Sequence, residues 1–484
     1  MLGTTGCDVA VVGAGLAGLA AANRAAMLGC RVVVVEKGER GAYPCNSRIA
    51  TGVLGLAHSD PTDKPGTLFK AIMDDTEGYA KPELAELLAQ NASRALRWLR
   101  DENVKVIKAV SDNKLRWVLA PPKLPRPGHD WQGRGPHLAL QTLTENLERR
   151  GGRISYGMRA RQLIMHDERC TGVRIEDGQR LREIAAGCVV LADGGFQGNI
   201  DLLRRFISPQ PDRLVQRNAE TGQGDALQMA EAVGARLTET SSFYGHLLVQ
   251  EALGNRELWP YPTIDSLASS AIIVDETGRR FIDEGLGGIP LSNAIARLPD
   301  PLAATVIFDH SAWAGAGRIE FIPPNPYVTR LGGTVTEAPD LPGLAAAVGL
   351  PIATLVETVQ SYNHAIEMGD MAALQPPRTL GRSFGQLRSS LNRLPVRPIC
   401  RAPLYAIRLC AGISYTLGGI EIDAETRVIG SDGAPILGLY AAGACTGGLE
   451  GGPIAGYVGG LLKALCFGLA AGDAVAKARK PINE

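Results

Sequence analysis

The sequence predicts an α/β protein of at least two domains, and three observations carry this prediction. The chain has 484 residues, and a single hydrophobic core rarely serves more than about 250–300 residues. Up to Glu36 it reads as strand, glycine-rich turn, helix and strand, the order of a βαβ unit. Between about Ala235 and Pro377 this regular pattern gives way to irregular segments and short strands, which indicates an inserted domain.

Composition and charge exclude several classes of protein. Hydrophobic residues make up 45% and charged residues 21% of the chain, which excludes a disordered or fibrous protein. Lys+Arg and Asp+Glu are both 50, so no net charge attracts nucleic acid or an anionic membrane. The apolar stretch 455–471 is interrupted by Lys463 and rich in glycine, which favours a buried helix over a membrane span.

Cysteine usage and the N-terminal sequence predict a cytoplasmic protein. The nine cysteines are scattered, odd in number and contain no CxxC pair, which is typical of reduced thiols. No basic segment or small-residue cleavage site precedes the first strand, so no secretion signal is expected. Glycine is the one outlier, at 58 residues, about 12% against a usual value of about 7%. Such an excess indicates that backbone approaches other backbone or a ligand closely.

A dinucleotide-binding site is predicted at the N-terminus. Asp8–Val12 is a short apolar strand, the sequence GAGLAG occupies residues 13–18, a helix runs to about Gly29, and a second strand ends at Glu36. Glycines at GxGxxG spacing let the chain turn sharply, bring N–H groups to a pyrophosphate and pack helix on strand. An acid about 20 residues further on binds a ribose 2′-hydroxyl. We therefore interpret the segment as Rossmann-like rather than as a turn that only packs.

The rest of the first domain alternates helices and strands. Residues 80–101 and 137–149 have the periodicity of amphipathic helices. Four apolar runs, 153–156, 160–166, 170–175 and 184–191, are spaced like a small antiparallel meander that feeds a parallel strand. That last strand ends in LADGGF at 191–196, at the edge where open α/β sheets bind ligands.

After about Ala235, where the regular pattern ends, the predicted elements are shorter. Residues 270–274 and 304–308 read as strands, 343–368 as helical, and 376–379 as a return linker. Strands at 405–409 and 419–422, a hairpin through 431–433, a strand at 437–441 and a glycine-punctuated helix complete the chain.

Six motifs in order resemble the fumarate reductase/succinate dehydrogenase flavoprotein family, which includes 3-ketosteroid 1-dehydrogenases and urocanate reductases. They are GxGxxG with Glu36, Asn46-Ser47 with ATGV at 50–53, LADGGF at 191–196, TGQGD at 221–225, GRRFIDE at 278–284, and GLYAAG at 438–443. The resemblance implies a glutathione-reductase-like FAD-binding domain in two sequence segments with an inserted α+β capping domain. We place the FAD-binding segments at 1–234 and 378–484 and the capping domain at 235–377.

The resemblance also implies FAD and the residues that bind it. Gly13, Gly15, Gly18 and Glu36 are expected to hold the ADP half, and Asn46, Ser47 and Thr51 to lie near the pyrophosphate and the flavin. The further residues expected to bind FAD are Ala17, Lys37, Gly52, Asp193, Gly194 and Gly443. Those expected at the pyrimidine end of the flavin, where a helix N-terminus stabilises the anionic reduced form, are Gly459, Gly460 and Leu461. Relatives that attach FAD covalently use a histidine where Asn46 stands, so we predict non-covalent FAD.

The departures from the family pattern are informative. Fumarate reductases carry a proton-donating arginine just beyond the GRRFIDE segment, and residues 284–289 contain none. A second arginine, which clamps a substrate carboxylate, is replaced by a tyrosine in the last glycine-rich segment, which we assign as Tyr457. The family's His-Thr before a strand is replaced by Tyr415-Thr416. Three polar anchors for a dicarboxylate are therefore lost or changed.

Tyrosine in these places suits ketone chemistry. Tyr457 resembles the tyrosine with which ketosteroid dehydrogenases bind the ketone oxygen, and a phenol donates strongly to a developing enolate. Tyr415, Tyr244 and His246 are the further catalytic candidates. The structural alternative is a core aromatic with a satisfied hydroxyl for Tyr415 and Tyr457, and a buried histidine for His246. Glu450 is open between a base near the flavin and a structural acid.

The predicted function is FAD-dependent α,β-desaturation of a ketone-like, cyclic or steroid-like, substrate by hydride transfer to flavin N5, with tyrosine-assisted proton removal. The alternative is a fumarate- or urocanate-type reductase of an unsaturated carboxylate with an arginine from the insert, such as Arg297, and a guanidinium over the flavin would favour it. An NADPH-dependent flavin hydroxylase and a non-catalytic flavoprotein are less favoured. No haem or iron–sulfur motif is visible, so an external electron donor or acceptor is expected besides a small-molecule substrate.

Overall fold

The computed structural model describes residues 6–111, 114–122, 131–178, 180–381 and 394–479. Its strands are β1 Cys7–Val12, β2 Val32–Val35, β3 Val106–Ser111, β4 Lys114–Leu119, β5 Arg153–Ser155, β6 Met158–His166, β7 Arg169–Asp177, β8 Arg180–Leu191, β9 Val215–Gln216, β10 Phe243–Val249, β11 Ile272–Val274, β12 Thr305–Asp309, β13 Thr336–Ala338, β14 Leu404–Thr416, β15 Arg427–Ile429 and β16 Pro435–Ala441. Its helices are α1 Leu16–Met27, α2 Asn46–Ile49, α3 Pro65–Asp75, α4 Pro82–Asp101, α5 Gly135–Arg149, α6 Ile200–Phe206, α7 Asp225–Ala232, α8 Asp265–Ser269, α9 Gly288–Ala296, α10 His310–Ala314, α11 Pro324–Arg330, α12 Leu341–Val348, α13 Ile352–Met368 and α14 Gly460–Ala478.

An eight-stranded sheet forms the first layer, in the order β15-β16-β7-β8-β1-β2-β5 with β6 beside β7. Strands β5, β2, β1, β8 and β16 run parallel. Helix α1 returns the chain from β1 to β2, and longer connections join the other parallel strands. Strands β6, β7 and β8 form the expected antiparallel meander. Strand β5 was expected in that meander but pairs in parallel with β2.

The first and last helices pack against each other on this sheet. Helix α1 is rich in alanine, and α14 presents glycines where the two backbones approach. A Cβ on Gly468 would lie 2.4 Å from the carbonyl oxygen of Ala17, and one on Gly472 would lie 2.8 Å from that of Ala21. Small residues therefore allow α1 and α14, near the two ends of the described chain, to pack closely. This packing accounts for part of the glycine excess.

A second sheet, in the order β10-β14-β12-β11, forms the other main layer, with β13 and β9 also paired to β14. Its buried apolar residues form a core separate from that of the first sheet. The sheet extends beyond the predicted 235–377 segment at both ends, because it includes β9 before that segment and the thirteen-residue β14 after it. Strand β14 begins at Leu404 and ends at Thr416, so it is far longer than the predicted strand 405–409. It is longer because it spans the whole sheet.

Several predicted elements differ in detail from the structure. The helical stretch 343–368 is two helices, α12 and α13, because Gly349 adopts a left-handed conformation between them. Residues 419–422 make isolated bridges instead of a strand. The hairpin β3–β4 was not predicted; Val118 bridges to Val53 and so attaches it to the first layer. Within the described ranges, no helix has the length and apolarity needed to cross a bilayer.

Candidate active site

The carboxyl ends of four parallel strands define one end of a cleft of about 350 Å³. Val12 is in register with Val35 on one side and with Leu191 on the other, and Leu191 is in register with Ala441. The residues that follow these strands, among them Gly13, Glu36, Asp193 and Gly443, therefore reach the same edge and line the cleft. The predicted dinucleotide residues come together here because the strands are in register.

Glycines bring the backbone close together at this edge. Gly13 has φ +99°, and a Cβ there would lie 2.6 Å from the carbonyl oxygen of Ala192. A Cβ on Gly18 would lie 1.9 Å from the carbonyl oxygen of Gly13. Gly18 therefore does not line the cleft; it lets helix α1 start against the turn, so that the helix N-terminus faces the cleft.

The polar side chains at this end hold the turn in place. The Glu36 carboxylate accepts from the N–H of Ala14 at 2.8 Å, and the Ser47 hydroxyl accepts from the N–H of Leu16 at 3.1 Å. Lys37 donates to Asp225 at 3.1 Å. All of them except Ala14 line the cleft.

Asp193 carries a buried polar atom without a partner. Its Oδ2 accepts from the N–H of Ala226 at 3.0 Å, while Oδ1 has no hydrogen-bond partner among the described residues. Burial raises the pKa of this carboxyl to about 7, against an opposing effect of the Lys37 cation. An unpartnered acceptor beside a glycine-lined turn is what a bound dinucleotide would satisfy, so the residues present fit the predicted cofactor.

The loop after β2 reaches the middle of the cleft. Asn46 donates to the carbonyl oxygen of Ser414 at 2.8 Å and accepts from the N–H of Ala219 at 2.9 Å, so it joins this loop to β14. Asn46, Ser47 and Thr51 line the cleft. Gly52 does not; its φ of +90° turns the chain so that its carbonyl oxygen accepts from the N–H of Leu119.

Helix α14 begins at the far side of the cleft. Gly459, Gly460 and Leu461 all line it, and a Cβ on Gly459 would lie 2.2 Å from the carbonyl oxygen of Gly55. Glu450 is fully buried and accepts from the N–H groups of Val458 at 2.9 Å and Gly459 at 3.1 Å.

Lys463 forms an ion pair with the Glu450 carboxylate. Its ammonium lies 3.1 Å from Glu450 Oε2 and, unlike Glu450, it lines the cleft. Glu450 is thus a structural acid that caps this turn. Sequence reasoning noticed Lys463 only as an interruption of an apolar stretch; a lone charge in a buried helix was the signal that it has a specific partner.

Beyond α14 the cleft is lined by the predicted tyrosines. The rings of Tyr244 and Tyr457 stack with centroids 4.2 Å apart, and the rings of Tyr244 and Tyr415 are 5.4 Å apart. All three line the cleft together with His246. Segments around residues 244, 415 and 457 supply one cluster because β10 pairs with β14 and places Tyr244 opposite Tyr415.

Asp265, His246 and Tyr244 form a chain of hydrogen bonds. His246 Nδ1 lies 2.5 Å from Asp265 Oδ2, and Nε2 lies 3.0 Å from the Tyr244 hydroxyl oxygen. Asp265 also accepts from the N–H of Leu247 at 2.8 Å. In the tautomer whose Nδ1–H donates to the Asp265 carboxylate, Nε2 of a neutral imidazole is the acceptor for the Tyr244 phenol.

Asp265 was missed from the sequence. It belongs to α8, 19 residues beyond His246, and no spacing rule connects the two. In the structure, Gly288 marks the place that the Asp265 side chain occupies, because a Cβ on Gly288 would lie 2.0 Å from the Asp265 carboxyl carbon. Gly288 begins α9, so the carboxylate sits at a helix N-terminus, which stabilises its charge. This glycine lies in the segment where the family's proton-donating arginine is absent.

Tyr415 is held protonated. Its hydroxyl lies 3.3 Å from Glu450 Oε1. Burial, and next the Glu450 charge, raise the pKa of the Tyr415 phenol well above its ordinary value. Tyr415 is therefore a hydrogen-bond donor at neutral pH.

The arginines named from the sequence lie elsewhere. Arg280, in the GRRFIDE segment, pairs with Glu284 at 2.6 Å, and both side chains are buried. Arg297 donates to the carbonyl oxygen of Ser241 at 2.8 Å and does not line the cleft. Arg116 and Arg217 do line it and were not singled out.

Comparison with known proteins identifies the class. A family model described as FAD binding domain, FAD_binding_2, matches residues 8–453, so the chain belongs to this family. The predicted resemblance to fumarate reductase and ketosteroid dehydrogenase flavoproteins is thereby confirmed, with the FAD cofactor, and the protein is an FAD-dependent oxidoreductase.

Two curated relatives and one solved structure illustrate the similarity. NADH:fumarate oxidoreductase from Klebsiella pneumoniae is 27% identical over 480 residues; the match covers 97% of this chain and 48% of that protein, so this chain spans about half its length. 4-Oxocyclohexanecarboxylate 2-dehydrogenase from Sinomonas cyclohexanicum is 24% identical, with 93% and 89% covered. 3-Ketosteroid delta1-dehydrogenase from Sterolibacterium denitrificans shares the fold, with a TM-score of 0.74, 20% identity, and 98% and 100% covered.

Proposed function

We propose that the protein interconverts a saturated cyclic ketone and its α,β-unsaturated form. The observation that carries the proposal is the tyrosine cluster at the end of the cleft beyond α14, with the Asp265–His246–Tyr244 chain behind it. Bound FAD supplies the acceptor for the hydride that leaves the β-carbon. The chain's own residues must then polarise the carbonyl and remove the α-proton.

Tyr457 polarises the carbonyl. Its ring stacks on Tyr244, so a ketone oxygen bound by the Tyr457 hydroxyl leaves the adjacent α-carbon near the second phenol. A phenol donates more strongly as the oxygen gains enolate charge, which lowers the barrier to proton removal.

Tyr244 removes the α-proton. Its hydroxyl proton passes to His246 Nε2, 3.0 Å away, and Asp265 stabilises the resulting imidazolium from the other side. Tyr415 holds its proton because burial and Glu450 raise the pKa of its phenol, so it serves as a donor beside the helix N-terminus. The three tyrosines thus have three different roles.

Aromatic side chains of the second layer suit a ring-shaped substrate. Trp259, Tyr261 and Phe321 line the cleft. The Trp259 indole donates to the carbonyl oxygen of Gln216 at 2.7 Å, which fixes its ring. A relative that acts on 4-oxocyclohexanecarboxylate, by its name, supports a carbocyclic ketone.

The cofactor is held without a covalent bond in this proposal. Asn46 occupies the position of the attaching histidine, and both its amide groups are hydrogen-bonded. Burial and the Glu36 charge raise the pKa of the neighbouring Cys45 thiol to about 11, so it is not a thiolate at neutral pH.

Anaerobic stopped-flow spectroscopy of the yellow protein tests the function. Saturated cyclic ketones should bleach the flavin absorbance, and Tyr457→Phe should slow bleaching about 10²–10⁴-fold with unchanged FAD content. No bleaching by ketones, with reoxidation of the reduced protein by an unsaturated acid, would refute the desaturase proposal.

That second outcome defines the alternative, a reductase of an unsaturated carboxylate. The guanidinium of Arg116 in the cleft favours it, as does the relative named as a fumarate oxidoreductase. Both functions need an external electron donor or acceptor, and the same residues serve both directions.

A further inference from the structure

The hairpin β3–β4 places one arginine in the cleft. Side chains alternate along β4, so Arg116 and Val118 face the cleft while Trp117 faces away. The Trp117 indole donates to Asp60 at 2.9 Å, and the Trp117 carbonyl oxygen accepts from the N–H of Leu54 at 2.8 Å. The strand that carries Arg116 is therefore fixed in register against the flavin-binding layer.

Two of the three nitrogen atoms of the Arg116 guanidinium are left without a hydrogen-bond partner among the described residues. Its Nε and Nη2 atoms are buried, and neither has a hydrogen-bond partner within the described part of the chain. A buried charge without a partner is costly, so proteins retain one where a ligand completes it.

The other cations of the cleft have partners. Arg217 donates to the carbonyl oxygen of Pro260 and to the Ser414 hydroxyl. Lys37 and Arg159 pair with Asp225. Lys463 pairs with Glu450.

Arg116 lies toward the end of the cleft that is lined by Tyr244, Tyr415 and Tyr457, which we call the reacting end. Its Nη1 would be 3.8 Å from a Cβ on Gly55, whose carbonyl oxygen contacts Gly459. Gly459 follows Tyr457 by two residues, and the ring of His58 is 6.2 Å from that of Tyr457. The Arg116 guanidinium therefore lies near the start of α14, where Tyr415 and Tyr457 also line the cleft.

We propose that Arg116 binds a carboxylate of the substrate, which is therefore a ring-shaped acid with a carbonyl or double bond at the reacting carbons. The two unpaired atoms, Nε and Nη2, form the edge of a guanidinium that pairs side-on with one carboxylate. The inference rests on the proposed function for the reacting carbons, but the anchor itself serves either direction.

Binding of an unreactive acid tests the anchor without turnover. The FAD-loaded protein is titrated with cyclohexanecarboxylate and with cyclohexanecarboxamide, and binding is followed by the shift of the flavin absorbance and by calorimetry. We expect the acid to bind at least about tenfold more tightly than the amide, and Arg116→Met to abolish that difference. Arg116→Lys should retain part of it. Equal binding of acid and amide by the wild type would overturn the proposal.

A matched control uses the same hairpin. Lys108 is on β3, pairs with Asp60 at 2.9 Å and does not line the cleft. Lys108→Met removes one positive charge from the hairpin and should leave the acid-to-amide ratio unchanged. If it lowers the ratio as much as Arg116→Met does, the effect belongs to the net charge of the hairpin and the anchor is refuted.

Kinetics then separate the anchor from the reaction. 4-Oxocyclohexanecarboxylate and its methyl ester are compared as reductants of the flavin. Arg116→Met should raise KM for the acid at least about tenfold and leave the ester unchanged. If neither compound bleaches the flavin, the desaturase proposal fails while the binding titration still decides the anchor. Loss of FAD or a changed flavin potential in Arg116→Met, with the acid-to-amide ratio intact, would show that Arg116 contacts the cofactor instead.

Discussion

The two ends of the cleft are built in different ways. At the dinucleotide end, backbone groups approach one another through Gly13 and Gly18, and the residues follow four strands in register. At the reacting end, side chains of Tyr244, Tyr415 and Tyr457 meet from segments far apart in the chain. The first end depends on the absence of side chains and the second on their identity, so substitutions should affect the two ends differently.

The largest effect is expected from a methyl group at the dinucleotide end. In Gly18→Ala the new Cβ would lie 1.9 Å from the carbonyl oxygen of Gly13, and backbone cannot move aside cheaply. We expect loss of bound FAD, measured as the ratio of flavin to protein absorbance, and a lower melting temperature. Gly66→Ala is the control, because nothing lies within 4 Å of its Cβ and alanine favours the helix. Normal FAD content in Gly18→Ala would contradict the close packing.

A smaller effect, confined to turnover, is expected at the reacting end. Asp265→Asn removes the charge that stabilises protonated His246 without changing the shape of the side chain. The rate of flavin reduction should fall about 10²–10³-fold with FAD content unchanged, because the imidazole becomes a weaker base for the Tyr244 proton.

A double-mutant cycle sharpens this prediction. In a Tyr244→Phe background, Asp265→Asn should cost little more, because the chain of hydrogen bonds is already broken. Independent losses from the two substitutions would mean that Asp265 only supports the fold.

The smallest effect concerns a charge at the dinucleotide end. The Asp193 pKa is raised from 3.8 to about 7 by burial, so between about pH 4 and pH 7 the folded chain keeps a proton that the unfolded chain releases. The free energy of unfolding therefore falls as pH rises through this window and stays lower above it. Asp193→Asn removes this penalty and should stabilise the protein by about 1–3 kcal/mol at pH 8 and less at pH 5. Equal changes in melting temperature at both pH values would contradict the raised pKa.

The dinucleotide end was largely predictable from the sequence. GxGxxG, Glu36 and the strands beside them are contiguous patterns, and the parallel order of β2, β1 and β8 follows from them. Gly18 and Gly52 were named as cofactor residues, and the structure gives them packing and turning roles beside the cleft. A pattern of glycines indicates that the backbone approaches another group closely, but it does not show whether that group is a ligand or another part of the chain.

The reacting end was predictable only in part. Tyr244, His246, Tyr415 and Tyr457 were named, and the structure brings all four to one cleft. Asp265 and Arg116 were not named, because an isolated acid in α8 and an arginine in a short hairpin look like ordinary surface residues in the sequence.

The sequence by itself determined the family, the FAD cofactor and the α/β fold, because these depend on local periodicity and on glycines at set spacings. Tertiary structure alone decided that Asp265 stands behind His246 and that Nε and Nη2 of Arg116 have no hydrogen-bond partner among the described residues. The physical reason is that a hydrogen bond or an unpaired charge is a relation between side chains distant in sequence. Such a relation exists only once β10 has paired with β14 and the hairpin β3–β4 has attached to the flavin-binding layer.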